Sequence, residues 1–362
     1  MLAIEVAAIG GAAGPPAVAP GQSAPQPSHE AAFPLFGTVK SGVWLDGGRV
    51  LLLHTILPYR LAKVLADGRV ESAMTFPTAE HPGFFPSFGI SRGPGETLWV
   101  SGAALILEFD QTLRDGRLLD LRKLAVPGCE RFGALLQPHV VPGGMIALVA
   151  CLQSGRPDYA LFGYARLQLA PEPLLTQLRP LAELTNAGGL AWLVPTLAQA
   201  RGEVFALVFE GGPHIERVYP RKGVLRAFPE RFAEVPDLAR NERNPQPVFY
   251  RNVEAASMAA GLYGQGKHLF LLTRRHAGRG STSWAIHRID PMTDTLETTV
   301  PLPTQAPHLV VVPGSSEWAF VEQGSWIGMD GKSTRRILFI PAQEFERPGG
   351  PAKPATASTY RR

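Results

Sequence analysis

Cysteine is nearly missing from this chain of 362 residues: Cys129 and Cys151 are the only two. That excludes a disulfide scaffold, and neither thiol sits in a zinc-ligand spacing. No lysine or arginine precedes Lys40, whereas a secretory signal needs a basic leading region. No stretch has the length and apolarity of a membrane span, so none is expected. Charged residues make up 18% and the formal net charge is +4. The basic residues fall in scattered pairs such as Arg335–Arg336 and Arg361–Arg362, not in the continuous stripe with interleaved aromatics that a nucleic-acid surface requires. The Gly-Lys-Ser/Thr phosphate loop, the Gly-x-Ser-x-Gly elbow and the His-Glu-x-x-His zinc motif are also missing. So is a sustained helical period. The best helical stretch, Leu174 to Leu184, is short and contains Pro180.

What the chain does have is repetition. Gly48, Gly95, Gly144, Gly202, Gly266 and Ser316 each launch a short apolar run, at spacings of 47, 49, 58, 64 and 50. A second landmark recurs out of step with the first, where an extended segment stops at proline: Phe76-Pro77, Val126-Pro127, Arg179-Pro180, Phe228-Pro229, Leu302-Pro303 and Ile340-Pro341. Turns precede these stops, among them Asp67-Gly68, Asp115-Gly116, Lys222-Gly223 and Asp330-Gly331. Asp-Gly between two extended runs marks a tight hairpin, because glycine accepts the positive φ that such a turn demands. Each unit therefore parses as four strands, A to D, with the tight turn between C and D. In the sixth unit these are Leu309 to Val312, Trp318 to Val321, Trp326 to Met329 and Arg335 to Ile340.

Six four-stranded antiparallel units of about fifty residues predict an all-β six-bladed β-propeller. A seventh blade is the rival count, since the spacing of 64 hides extra sequence, but Arg231 to Arg251 with its three prolines reads as a loop. The stretch Pro86-Ser87-Phe88-Gly89-Ile90, Gly95-Glu96-Thr97-Leu98-Trp99-Val100, Ile106-Leu107-Glu108-Phe109-Asp110 and Asp115-Gly116 resembles one NHL-type blade. The strand and turn order over residues 36–345 is similar to that of bacterial NHL-repeat propellers. That resemblance implies fold, not chemistry.

Residues 1–35 read as a disordered or signal-like segment, 36–345 as the propeller and 346–362 as a disordered tail. Leu2 to Val18 is small and apolar, so the chain either starts inside a longer signal peptide or carries an Ala, Gly and Pro tail. The corresponding locations are periplasmic or secreted in the first case and cytoplasmic in the second. Cys129 and Cys151 are expected on one rim of blade three, either bonded if the protein is exported or as buried free thiols.

Alternating strand direction puts the D–A and B–C connections on one face and the tight turns on the other. The long polar connections share the first face, and binding residues usually ride on such loops. The strand A starts at that mouth include Ser41, Ser87, His139, Asn186, Glu254 and His308, with Asn252 nearby. His139, Glu254 and His308 have the ligand types of a divalent metal site; the rival reading is repeat chemistry at a Pro-His strand start. His54, Glu210 and Glu322 end their strands B on the same rim. Around blade five, Arg251, Arg274, Arg275 and His276 form a loop-borne basic cluster.

Two functions follow. The first is a monomeric, non-catalytic binding or scaffold propeller that takes a protein, peptide or glycan on the loop-rich face. The alternative is a metal-dependent hydrolase or lactonase with its site at the channel mouth, which some six-bladed propellers resemble.

Overall fold

The computed structural model describes residues 23–347, apart from 34–36, 57–58, 66, 115, 125, 127, 154–155, 169–173, 176–177, 186–195, 210–211, 230–256, 277–281 and 325–334. Within it six antiparallel sheets form a six-bladed β-propeller, consistent with the NHL-like resemblance. The first strand, β1 (His29–Phe33), precedes blade one. Blade one is β2 (Thr38–Leu45), β3 (Val50–Ile56), β4 (Arg60–Val64) and β5 (Val70–Thr75). Blade two is β6 (Ser87–Arg92), β7 (Leu98–Gly102), β8 (Leu105–Phe109) and β9 (Arg117–Asp120). Blade three has longer strands, β10 (Arg131–Val141), β11 (Gly144–Gln153) and β12 (Arg156–Gln168), with an outer strand broken into β13 (Leu174–Leu175) and β14 (Arg179–Thr185). The described parts of the stretch that came nearest to a helical pattern are thus mostly strand, and Pro180 is tolerated because β14 is an outer strand with one free edge.

Blade four is β15 (Thr196–Ala200), β16 (Glu203–Val208), β17 (His214–Tyr219) and β18 (Gly223–Leu225). Blade five is β19 (Met258–Gln265), β20 (His268–His276), β21 (Thr282–Asp290) and β22 (Thr295–Pro301). Blade six contains β23 (His308–Val312), β24 (Glu317–Gln323) and β25 (Arg335–Pro341) in sequence, and its fourth strand is β1 from the other end of the chain. His29 pairs Phe339 and Phe33 pairs Arg335. Two expectations change here. Arg335 to Ile340 is the third strand of its blade, not the fourth, and residues 29–33 belong to the propeller although the sequence reading began it at 36. A short segment with two buried side chains, Ala31 and Phe33, has too little pattern to announce a strand by itself. Trp326 to Met329 lies outside the described residues.

The launching glycines do what their repetition implied. Gly48, Gly95, Gly144, Gly202 and Gly266 all have positive φ at the A–B turn, a conformation that costs any side-chain-bearing residue about 1 kcal/mol or more. The apolar runs they launch are the B strands, which lie between flanking strands and neighbouring blades. Leu51, Leu52, Leu98, Val100, Ala147, Leu148, Phe205, Leu271 and Phe320 are all fully covered. Their side chains alternate between the two faces of each blade, and the core divides into six apolar clusters, one at each junction of adjacent blades, including the junction of six with one. Trp44, Trp99, Trp284 and Trp318 lie in these junctions; Trp192 and Trp326 lie outside the described residues.

The innermost strand of a blade has one edge without a ladder partner, and its backbone groups need partners from elsewhere. Neighbouring blades supply them. Ser41 Oγ accepts from the Ile90 amide at 2.8 Å, Gln137 Oε1 from Leu197 at 2.6 Å and Thr196 Oγ1 from Leu262 at 3.1 Å. Gln265 Nε2 donates to Gly314 O at 3.2 Å, and Trp44 Nε1 donates to Val312 O at 3.0 Å. Where β15 and β19 meet, a Cβ at Gly264 would fall 1.9 Å from Gln199 O, so only glycine fits.

Two substitutions test this account of closure. Phe33→Ala should lower unfolding stability by about 3–5 kcal/mol, the usual cost of emptying a buried aromatic site, as measured by urea denaturation. Gly264→Ala should destabilise more than Gly202→Ala, because Gly202 has open space around it and bears only the backbone cost.

Candidate functional site

The mouth of the channel is built where strands A begin and strands B end. In blades one, two, three and five the innermost strand carries a β-bulge close to this end. The residues left out of the ladder are Lys40, Phe88, Gly133 and Ala260, as the register breaks between Val39 and Ser41, Ser87 and Gly89, Phe132 and Ala134, and Ala259 and Gly261. Each bulged residue is partly exposed and follows a buried one. The B strand covers one edge of each inner strand and neighbouring blades cover its faces, so the open side is the channel. A bulge re-aims a side chain, and here the bulges leave Lys40, Phe88 and Ala260, with the side-chain-less Gly133, at equivalent places around the mouth. Phe88 packs against the apolar cluster between blades three and four.

Lys40 is the charged member of that set. Burial pulls its amine down from 10.5 to about 8. His54, whose strand position opposes Ser41, feels both its own burial and the Lys40 charge, and its imidazole drops to about 4. It is therefore neutral at physiological pH. His54 Nε2 lies 2.9 Å from Ser87 Oγ; both residues are fully buried, so this pair braces blade one against blade two and does not meet a ligand.

The ends of two other B strands do the same work. Gln323 Nε2 donates to Val39 O at 2.8 Å, joining blade six to blade one. Arg274 Nη1 donates to Pro307 O at 3.1 Å, joining five to six, with its guanidinium 6.0 Å from the Trp284 ring and Nη2 3.6 Å from Met258 Sδ. Arg274, Arg275 and His276 thus belong to strand β20, not to a loop. Arg274 is 1% exposed, so its expected place in a loop-face binding cluster is corrected. Its long side chain reaches a carbonyl of the next blade, which a surface position would not require. Behind it, His287 bridges Thr273 Oγ1 at 2.8 Å and Thr299 Oγ1 at 2.9 Å, and burial brings its imidazole down to about 3.

His139 and His308, both expected at the mouth, are not brought together there. His308 opens β23 at the mouth and is buried. His139 sits two residues from the far end of β10, paired with Ile146 just before the A–B turn, on the order of 20 Å down the strand at ~3.3 Å per residue. The physical reason is Pro138. It was read as a strand start, but a second register break between Leu136 and His139, with Gln137 at φ 47°, absorbs it inside the strand. Its missing N–H costs nothing on an irregular stretch. Burial lowers the His139 imidazole to about 4, opposed by a hydrogen bond with the Leu197 backbone. Asn186, Arg251, Asn252, Glu254 and Glu210 lie outside the described residues. Ser41 serves as a backbone acceptor, and Glu322 is paired with Arg336 at 2.8 Å, which also reaches Glu30 of β1 at 3.2 Å.

Cys129 and Cys151 are joined, with Cα atoms 5.4 Å apart. The bond ties the loop entering blade three to the mouth end of β11. Beside it, between blades two and three, lies an open groove of about 650 Å³ lined by Arg122, Leu124, Cys129, Glu130, Arg131 and Phe132. This groove contains none of the bulge residues.

Among the described residues no three histidine, cysteine, aspartate or glutamate side chains gather as a metal site. Among the described mouth residues the Lys40 amine and the Arg274 guanidinium are not ligands for a divalent cation, and His54 Nε2 is already engaged with Ser87 Oγ. These residues do not fit a metal. Sequence reasoning missed Lys40 because strand periodicity alone does not show a bulge; the signal available was a lysine between Val39 and Ser41 near the start of an inner strand.

No protein-family model matches the sequence, and no curated protein matches it. Solved structures do. A member of the DUF4221 family from Bacteroides vulgatus is similar with a TM-score of 0.53 at 9% identity, over 86% of this chain and 96% of that one. A gluconolactonase from Xanthomonas campestris gives 0.49 at 14%, over 89% and 95%. Regucalcin from Agrobacterium tumefaciens, described as a calcium-binding protein, gives 0.49 at 11%, over 85% and 92%. At such identities the likeness shows the fold alone. The expected non-catalytic binding or scaffold role is corrected: the similar structures include one described as a gluconolactonase, and the hydrolase or lactonase alternative is taken up as a proposal below.

The buried imidazoles set a pH dependence. His54 and His287 have folded values below the 6.5 of an unfolded histidine, so their contribution is fully present above pH 6.5. It declines as pH falls toward 4 and the unfolded chain takes up protons that the folded state refuses. The urea midpoint should therefore be clearly lower at pH 4.5 than at pH 7.5; equal midpoints would contradict neutral burial of these rings.

Proposed function

We propose that the protein hydrolyses an ester or lactone at the channel mouth, with Lys40 as the group that meets the reacting carbonyl. The observation that carries this reading is the bulge at Lys40. It sets the one amine at the described mouth outside the β2–β3 register, in surroundings that bring it to about 8, close to where a general base works best. The neutral amine takes a proton from the attacking water as the water oxygen bonds to the carbonyl carbon. The resulting ammonium then gives that proton to the departing alkoxide as the carbon–oxygen bond breaks. Positive charge arises next to the tetrahedral oxyanion, where it stabilises it most. No step is assigned to a metal, because the described residues do not fit one.

We also propose export to an oxidising compartment. The Cys129–Cys151 bond supports this, since structural disulfides are rare in reducing cytosol. Among the described residues no helix is long and apolar enough to cross a membrane. Protein isolated without reductant should show no titratable thiol after denaturation, and two thiols would remove the support for export.

The reaction is tested by screening purified protein against aliphatic and aryl esters and five- and six-membered lactones, then comparing variants on any substrate turned over. Lys40→Met and Lys40→Arg should each lower kcat/KM by about 10²–10⁴, the range for a lost general base; arginine keeps the charge but does not deprotonate. The wild-type kcat/KM should rise with pH and level off above about 8. Full activity in Lys40→Met would overturn the assignment.

A further inference from the structure

Among the described residues five large apolar side chains are exposed: Phe85, Leu118, Val140, Val224 and Met292. Leu118 and Val224 are on outer strands, Met292 follows β21 at a turn, and Val140 lies near the A–B end of β10. Phe85 alone of the five is at the mouth, two residues before Ser87, and it is 55% exposed.

Its loop is built to hold it there. The neighbouring Phe84 is buried and packs against Phe76 with ring centroids 5.5 Å apart. The Phe84 amide donates to His81 O at 3.1 Å and the Phe85 amide to Gly83 O at 3.1 Å. A Cβ at Gly102 would meet the Phe84 ring at 2.9 Å, so the blade leaves just enough room for that anchor. Tyr59, from the B–C connection of blade one, sets its ring edge-on to Phe85 at 4.9 Å and 87°. Tyr59 itself leans on the apolar junction of blades one and two. Two adjacent aromatics, one anchored inward and one kept in water against a second ring, form a fixed apolar platform. An exposed large apolar side chain is informative where it sits beside a site, and small-molecule sites are mostly apolar with few polar groups.

We infer that Phe85 and Tyr59 form a subsite for an apolar ring of the substrate, so that the preferred ester or lactone carries an aryl group. This deepens the proposed hydrolase and rests on the channel mouth being its substrate site. Ring recognition is readable without turnover. The probes are 3-phenylpropanoate, propanoate and glucuronate, titrated calorimetrically into the full chain. Wild type should bind 3-phenylpropanoate at least about tenfold more tightly than propanoate, as stacking on a held ring allows. Phe85→Ser should bring the two acids to within about twofold. Tyr59→Leu, which keeps the apolar packing, should reduce the preference without lowering the melting temperature. Lys40→Met should weaken both acids alike and leave their ratio unchanged.

An equal affinity for the two acids in wild type would overturn the subsite, as would an unchanged preference in a folded Phe85→Ser. Tighter binding of glucuronate than of 3-phenylpropanoate would also overturn it, by assigning the mouth to a polar sugar ring. A ring preference lost in Phe85→Ser, with no ester or lactone turned over, would support the subsite and remove only the hydrolase.

Discussion

Closing a ring is the constraint on which this structure depends. Each blade hides one face against the blade before it and one against the blade after it, so no junction is stable unless the last meets the first. The chain meets that demand with β1, whose five residues pair with β25 and place Ala31 and Phe33 in the apolar junction between blades six and one. Arg336 adds a polar clasp by holding Glu322 of β24 and Glu30 of β1 together. Because β1 comes from the opposite end of the sequence, neither terminus of the propeller frays without opening the circle.

Closure creates a second problem, which the channel solves. Six inner strands present edges that no ladder satisfies, and buried backbone groups cannot stay unpaired. Side chains from adjacent blades supply the missing partners along most of the ring. At the mouth the same task falls to the ends of two B strands, where Arg274 and Gln323 reach backbone carbonyls of the next blade, while His54 braces the Ser87 hydroxyl. This explains why so many polar residues are buried at one end without forming a reactive cluster. Lys40 differs in lying at a bulge outside the β2–β3 register, and Phe85 in being an apolar ring that its loop leaves exposed.

Much of the architecture was legible in the sequence because it is periodic. A glycine with positive φ sits at five of the A–B turns, so Gly48, Gly95, Gly144, Gly202 and Gly266 mark five blades without any knowledge of contacts. The NHL-like order of strands and turns rests on the same periodicity. The misreadings came where one residue breaks the period. Pro138 looked like a strand start but is held inside β10 by an irregular register, which carried His139 to the wrong end of its blade. The sixth blade looked complete in sequence, so its borrowed strand went unseen. The loop-face cluster failed because Arg274 is extended and buried, and neither property is visible in a run of basic residues. Lys40, Tyr59 and Phe85 escaped notice because their placement comes from a bulge and two loops, which carry no repeat signal.

The account turns on whether Lys40 is held at the channel mouth with its amine depleted of charge. Lysine carrying ¹³C at Cε, introduced into the folded protein and followed by NMR across pH 6 to 11, reads that amine directly, with Lys40→Arg identifying its signal. A midpoint near 8 is the predicted result, one that an amine on a solvated rim does not show. An ordinary midpoint near 10.5 would mean that the bulge merely exposes a surface lysine, and the proposed chemistry at the mouth would be lost with it.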